Sequence, residues 1–314
     1  MRVVEPAVIS RDDVLAARTT IAGKLHRTPT LSSRTLGDGV FLKAELLQKT
    51  GSFKPRGVLN KLAALSAEEK RRGVIAISAG NHAQAVAWGA AAEGIDALVV
   101  MWADASAQKV AATRGYGAAV DLEAPGPAEA FERLAELQAE TGRTLVHPFD
   151  DPVVQAGAGT VGLEVEEDVD GLDTIVVPVG GGGLVAGIAA AVAPAVRVVA
   201  VEPELSPALH EALKAGKSVP VQPRSIADGL GAPFAGEHAL AVCRAHDVRS
   251  VLVSEQEIAE AMRFVYARAK LACEPAGAAA VAAVRAGKIE GERVCCVVSG
   301  GNVAAQTAAA ILGA

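Results

Sequence analysis

Lys54 stands where an amine could act as a nucleophile or form a Schiff base. It lies in Lys49-Thr50-Gly51-Ser52-Phe53-Lys54-Pro55-Arg56-Gly57, among small residues and one aromatic ring, at the start of a predicted helix. An ammonium partly desolvated beside a helix's positive end has a lowered pKa, which frees the amine for such chemistry. Four other segments could hold its reaction partners. Ser78-Ala79-Gly80-Asn81-His82 follows a predicted strand and opens a helix. Its successive N–H groups can hold a carboxylate or phosphate, and Ser78 and Asn81 add side-chain donors. Taken alone, it also fits a plain turn with Asn81 as N-cap and His82 in the packing. Pro178-Val179-Gly180-Gly181-Gly182-Gly183-Leu184 places four side-chain-free residues between strand and helix. Close approach of an anion, most often phosphate, explains such a loop, although its spacing matches neither the dinucleotide fingerprint nor the P-loop. Val298-Ser299-Gly300-Gly301-Asn302 offers a hydroxyl at the end of the last predicted strand. Cys273-Glu274-Pro275-Ala276-Gly277 sets a carboxylate at a helix start, where an acid also simply favours the helix dipole.

The elements that must position these groups alternate along nearly the whole chain. Predicted strands are 40–45, 74–78, 97–101, 118–122, 144–147, 174–179, 197–201, 250–253 and 293–298. Predicted helices start at Ser10 and then cover 54–65, 82–93, 106–114, 128–141, 153–167, 184–192, 207–215, 255–270, 275–286 and 303–311. Asp13 completes a capping box with Ser10, and Pro55 falls in a first turn, where proline is tolerated. This order implies an α/β protein of parallel sheets covered by helices on both faces, and nine strands suggest two sheets. Ligands in such folds bind at strand C-termini beside helix N-termini, where the five segments fall.

Composition agrees. The 314 residues are 51% hydrophobic and 21% charged, enough to bury a large core, which excludes disorder as the main state. A net charge of −6, no basic block and 3% aromatics argue against a nucleic-acid or membrane-surface partner. Cys243, Cys273, Cys295 and Cys296 match no zinc spacing and read as buried apolar side chains. Met1–Asp13 has no export signal. Ile175–Val196 carries no charge, but its prolines and glycines suit a strand, a loop and a buried helix better than a membrane span. A soluble, cytoplasmic protein is expected.

Together and in this order, the five segments resemble a fold type II pyridoxal-phosphate enzyme of the threonine/serine ammonia-lyase and serine racemase group. The resemblance runs from His26-Arg27-Thr28-Pro29 to Ser299-Gly300-Gly301-Asn302. It implies two open, mainly parallel α/β domains, similar to the tryptophan synthase β-subunit. Residues 1–68 and 150–314 would form a large cofactor-binding domain, and 69–149 a small mobile one. Lys54 would carry pyridoxal 5'-phosphate as a Schiff base and act as the catalytic amine. Gly180, Gly181, Gly182, Gly183 and Leu184 would hold its phosphate. Phe53 would pack beside the ring, Asn81 contact the phenolic oxygen, Ser299 face the pyridine nitrogen, and Glu274 belong to the cofactor site. Ser78, Asn81 and His82 would line the substrate carboxylate pocket.

The implied reaction is elimination of water from L-threonine or L-serine, giving 2-oxobutyrate or pyruvate and ammonia. Alternatives are a dehydratase of another β-hydroxy amino acid such as 3-hydroxyaspartate, or a serine racemase. Outside this group, a nucleotide-binding sensor using the tetraglycine loop would leave Lys54 and Ser299 without a role. Racemases of the group carry a serine where this chain has Ala79, so little racemisation is expected. Metal-binding relatives pair a glutamate with an aspartate six residues on. Glu202 fits the first position, but Ala208 occupies the second, so a mono- or divalent cation is possible there only with other donors. The chain stops soon after Asn302, so feedback inhibition by isoleucine through a C-terminal regulatory domain is not expected. A homodimer is expected from the group and from general frequency.

Overall fold

The apolar runs of the sequence become two separate sheets. A computed structural model of the chain describes residues 8–314. The expectation about a leader in Met1–Asp13 falls partly on residues 1–7, outside the described residues. The strands are β1 (Thr30–Ser32), β2 (Val40–Lys43), β3 (Val74–Ile77), β4 (Ala97–Trp102), β5 (Ala119–Ala124), β6 (Thr144–Leu145), β7 (Thr174–Pro178), β8 (Arg197–Pro203), β9 (Arg249–Val253) and β10 (Val294–Val297). The first helices are α1 (Arg11–Ile21), α2 (Lys54–Ala64), α3 (Ala67–Arg72), α4 (Asn81–Ala92), α5 (Ala107–Gly115), α6 (Pro127–Thr141) and α7 (Pro152–Asp168). Then come α8 (Gly183–Val192), α9 (Ala208–Ala215), α10 (Glu237–Ala245), α11 (Glu255–Phe264), α12 (Pro275–Arg285) and α13 (Ala305–Leu312).

One sheet has the order β1-β2-β10-β7-β8-β9 and is parallel apart from β1. The other, β5-β4-β3-β6, is parallel throughout. The parallel α/β expectation holds, and the nine expected strands all form. The tenth, β1, is three residues of antiparallel edge. The second sheet comes from one continuous stretch between β3 and β6, whereas the first is built from chain on both sides of it.

Burial explains the strand compositions. All four residues of β3, all five of β7 and all four of β10 are buried. Ile175 and Val177 join the core under α8, while Val176 faces the core under α12. Cys295 and Cys296 divide the same way, and all four cysteines are buried and free. The uncharged run Ile175–Val196 is β7, a loop and α8, and among the described residues no helix is long and apolar enough to cross a membrane.

Three differences from the expected elements have local causes. The helix expected to reach Lys270 stays α-helical only to Phe264. It widens into a π-helical stretch over Val265–Ala269 and stops at Lys270, whose φ is 62°. Residues Ala67–Arg72 form a separate short helix behind a Ser66–Glu69 capping box. Asn81 is not an N-cap. Gly80 takes that place, and Asn81 is the first helical residue with its side chain free for other work.

Candidate active site

Lys54 opens α2, and its place depends on how α2 is seated. Gly57 faces α7 so closely that a Cβ there would lie 2.6 Å from the Val154 carbonyl, and one on Gly157 would lie 2.5 Å from that of Arg56. Between the same helices Arg56 is buried, pairing with Glu45 at 2.8 Å and Glu164 at 2.7 Å. The helix is thus held by shape and by charge. The Lys54 Nζ donates to the Pro148 carbonyl at 2.6 Å and lies 5.1 Å from the centre of the Phe53 ring. Burial lowers its pKa to about 8. Near neutral pH a useful fraction of such an amine is free to take a proton.

The tetraglycine loop joins β7 to α8, with Gly182 as N-cap at φ 96° and no side chain capping the helix. Its first N–H groups therefore remain for a ligand. The glycines are required by contact as well. A Cβ on Gly181 would lie 2.2 Å from the Phe149 ring, and one on Gly183 2.9 Å from the Phe149 carbonyl oxygen. Phe149 is next to Pro148, so the partner of Lys54 and the wall of the glycine loop are adjacent residues.

A third group closes the other side. Asn81 Nδ2 donates to Glu274 Oε1 at 2.7 Å, and Asn302 Nδ2 donates to Asn81 Oδ1 at 2.7 Å and to the Thr50 carbonyl at 2.7 Å. The Phe53 amide donates to the Ser299 carbonyl at 3.1 Å, and the Glu274 amide to that of Gly300 at 3.1 Å. Glu274 is the N-cap residue of α12, yet its side chain makes no capping bond. Burial raises its pKa to about 7, opposed by the Asn81 hydrogen bond. Ser299 is buried. Ser78 Oγ accepts from the Gly80 amide at 3.1 Å. His82 is buried, and its Nε2 donates to the Val146 carbonyl at 2.7 Å. Burial and the nearby Lys54 charge lower its pKa to about 3, so its ring is neutral.

The structure thus joins Phe53, Lys54, Asn81, Glu274, Ser299 and the glycine loop through direct contacts, the Asn302 side chain and the bridge Pro148-Phe149. Leu184 follows, buried, in the first turn of α8. Glu202 stands apart. Its oxygens accept the amides of Leu209 and His210 at 2.7 Å, in the first turn of α9, and burial raises its pKa to about 8. Among the described residues no three His, Cys, Asp or Glu side chains cluster so as to hold a metal. Residues not singled out from the sequence include His147, Pro148 and Phe149. The run His-Pro-Phe-Asp-Asp after a strand was the available signal, but Pro148 acts through its backbone, which residue type does not report. The site fits pyridoxal phosphate. An amine, a side-chain-free anion cradle and buried atoms without partners (Thr50 Oγ1, Ser52 Oγ and His82 Nδ1) belong to segments that meet there.

Known proteins are similar to this chain over nearly its whole length. The pyridoxal-phosphate dependent enzyme family matches residues 21–300. The L-threonine ammonia-lyase of Thermotoga maritima is 42% identical over 305 residues, 94% of this chain and 76% of that protein. The solved threonine deaminase from T.th. has a TM-score of 0.88 at 41% identity, covering 94% of this chain and 99% of that one. Maize serine racemase has a TM-score of 0.91 at 35% identity, covering 96% of each chain. The chain belongs to the pyridoxal-phosphate-dependent enzymes. Its two parallel sheets are those of fold type II.

Proposed function

We propose that the protein converts L-threonine to 2-oxobutyrate and ammonia, and L-serine to pyruvate and ammonia. The observation that carries this reading is the Lys54 amine, desolvated at a helix start and joined through Pro148 and Phe149 to an anion-binding glycine loop. Bound pyridoxal phosphate supplies the electron sink for charge developing at the substrate's Cα. The residues do the rest. The amides at the start of α8 hold the phosphate, Phe53 packs beside the ring, and Asn81 and Glu274 flank it. Ser78, Asn81 and His82 orient the substrate carboxylate. The freed Lys54 Nζ takes the α-proton. The α-proton and β-hydroxyl are lost together as water, and hydrolysis of the resulting imine consumes one water and releases ammonia.

Ser299 and Ala79 narrow the outcome. A serine hydroxyl at the ring nitrogen stabilises a protonated ring less than a carboxylate does, which favours prompt loss of the β-hydroxyl. Ala79 has no proton to give on the face opposite Lys54, which disfavours racemisation. Lys109, whose charge reaches Glu274, is already paired with Asp228, which favours an uncharged substrate side chain over 3-hydroxyaspartate. In this reading residues 69–149 form the mobile domain that closes on the substrate. The protein is cytoplasmic and a homodimer, the assembly state being measurable by light scattering.

The test is a 2-oxo acid assay on cofactor-loaded protein with L-threonine, L-serine and both 3-hydroxyaspartate diastereomers, beside a Lys54→Ala control. Turnover of threonine or serine that disappears in the control is the expected result. Turnover confined to 3-hydroxyaspartate, or serine enantiomers interconverting as fast as pyruvate forms, would overturn it.

A further inference from the structure

The chain crosses from the second sheet to the first along Val146-His147-Pro148-Phe149-Asp150-Asp151, between β6 and α7. Most of this crossing contacts residues of the site. Val146 accepts from His82, Pro148 from Lys54, and the Phe149 ring covers Gly181. The Asp150 carboxylate accepts the Glu237 and His238 amides, both at 3.0 Å, and so caps α10. Asp151 caps α7 and pairs with Lys61 at 2.7 Å.

His147, half-buried, bonds within its own turn instead. Its Nδ1 accepts the Asp150 amide at 2.8 Å and the Phe149 amide at 3.3 Å, and its ring meets the Phe149 ring edge-on at 4.7 Å. We propose that His147 is a positioning residue for Lys54. Its imidazole folds the 147–150 turn so that the Pro148 carbonyl stands where the free Lys54 amine donates to it. The inference rests on the reading of Lys54 as the proton-moving amine.

The hydrogen bonds support this assignment. The Pro148 carbonyl shares its peptide plane with the Phe149 N–H, so whatever accepts that N–H helps to set the carbonyl's direction. The neighbouring amides set it, and both end on the same imidazole nitrogen. That arrangement requires a neutral ring carrying its proton on Nε2. The titratable groups facing the ring are Asp150 and Asp151 from its own segment, Lys54 from α2, His82 from α4 and His238 from α10. Burial outweighs the two carboxylates and holds the His147 pKa below the ordinary value, so the pin is intact at neutral pH.

Two substitutions test it. In His147→Asn the side-chain oxygen can accept amides two and three residues on, as in an Asx turn. In His147→Gln the same amide group is one carbon too far out. The first readout is competitive acetylation of Lys54 against pH, in the full chain stripped of cofactor. Recovery of visible absorbance on reloading checks that the fold survives. The wild-type midpoint is expected at about 8. The Gln variant should titrate about half a pH unit lower, because a hydrogen bond to the ammonium is lost, and the Asn variant should match wild type. In loaded enzyme, kcat for threonine should fall about tenfold in Gln with KM little changed, and Asn should restore it. Asn and Gln behaving alike, or Gln titrating as wild type, would overturn the proposal. Separated titration curves in a protein that turns over no β-hydroxy amino acid would uphold the positioning role while removing the proposed reaction.

Discussion

Glu274 occupies the N-cap position of α12 but spends its carboxylate on Asn81 from the other sheet. Burial raises its pKa from 4.5 to about 7. Between those values the unfolded chain releases a proton that the folded chain keeps, so this group's contribution to stability declines as pH rises through that window. Glu274→Gln should therefore gain melting temperature relative to wild type at pH 8, with the difference shrinking towards pH 4.5. An equal difference at both pH values would contradict this. Lys54 gives the opposite slope. Its folded pKa is lowered from 10.5 to about 8, so its contribution rises with pH across that interval. These residues were legible in the sequence because each stands in a short segment with a chemical logic. Their environments were not, because the carboxylate beside Asn81 lies 193 residues away.

At the scale of elements, the site depends on how closely one helix pair and one loop can approach. Arg56 locks α2 to α7, and its removal leaves Glu45 in the interior without a cation and Glu164 with Lys43 alone. Arg56→Met should cost about 3–5 kcal/mol in urea unfolding. Arg56→Lys should recover little of it, since one ammonium cannot serve both carboxylates as the guanidinium fork does. Gly181→Ala should cost about 1–3 kcal/mol, because its methyl would overlap the Phe149 ring. Adding Phe149→Ala should return part of that loss, a coupling that a double-mutant cycle measures. The lysine helix, the glycine loop and nine strands followed from period and punctuation. β1 did not, being three residues long with no pattern to read. Nor did α10, which begins after a glycine with no cap of its own because Asp150, 87 residues earlier, satisfies its amide at Glu237.

Across the whole molecule the parts around the two sheets are linked, besides the crossing itself, by side-chain pairs of different character. Asn81–Glu274 and Asn81–Asn302 are internal, and the Phe131 and Phe234 rings lie tilted with 6.4 Å between their centres. Lys24–Glu93 and Lys109–Asp228 are ion pairs nearer solvent. They are not equivalent. Asp228 is 59% exposed, so Lys109→Gln should change unfolding free energy by no more than about 1 kcal/mol. Its effect should appear in KM for the amino acid if closure of the sheets accompanies binding. A loss of several kcal/mol would show that this pair is structural. Parallel topology was legible because strands buried on both faces are apolar on both faces. The contacts between the sheets were not, because single polar residues on different elements leave no periodic trace.

The second sheet is one uninterrupted length of chain, entered after the lysine helix and left at the turn that touches the lysine. A gene segment encoding it has two junctions rather than four. Recombination between related genes can therefore replace that block in a single event. The offspring would inherit a new face opposite the amine while keeping the amine and its anion cradle from the other parent. On the proposed function, preference for one amino acid over another would in this sense be heritable separately from the chemistry performed on it.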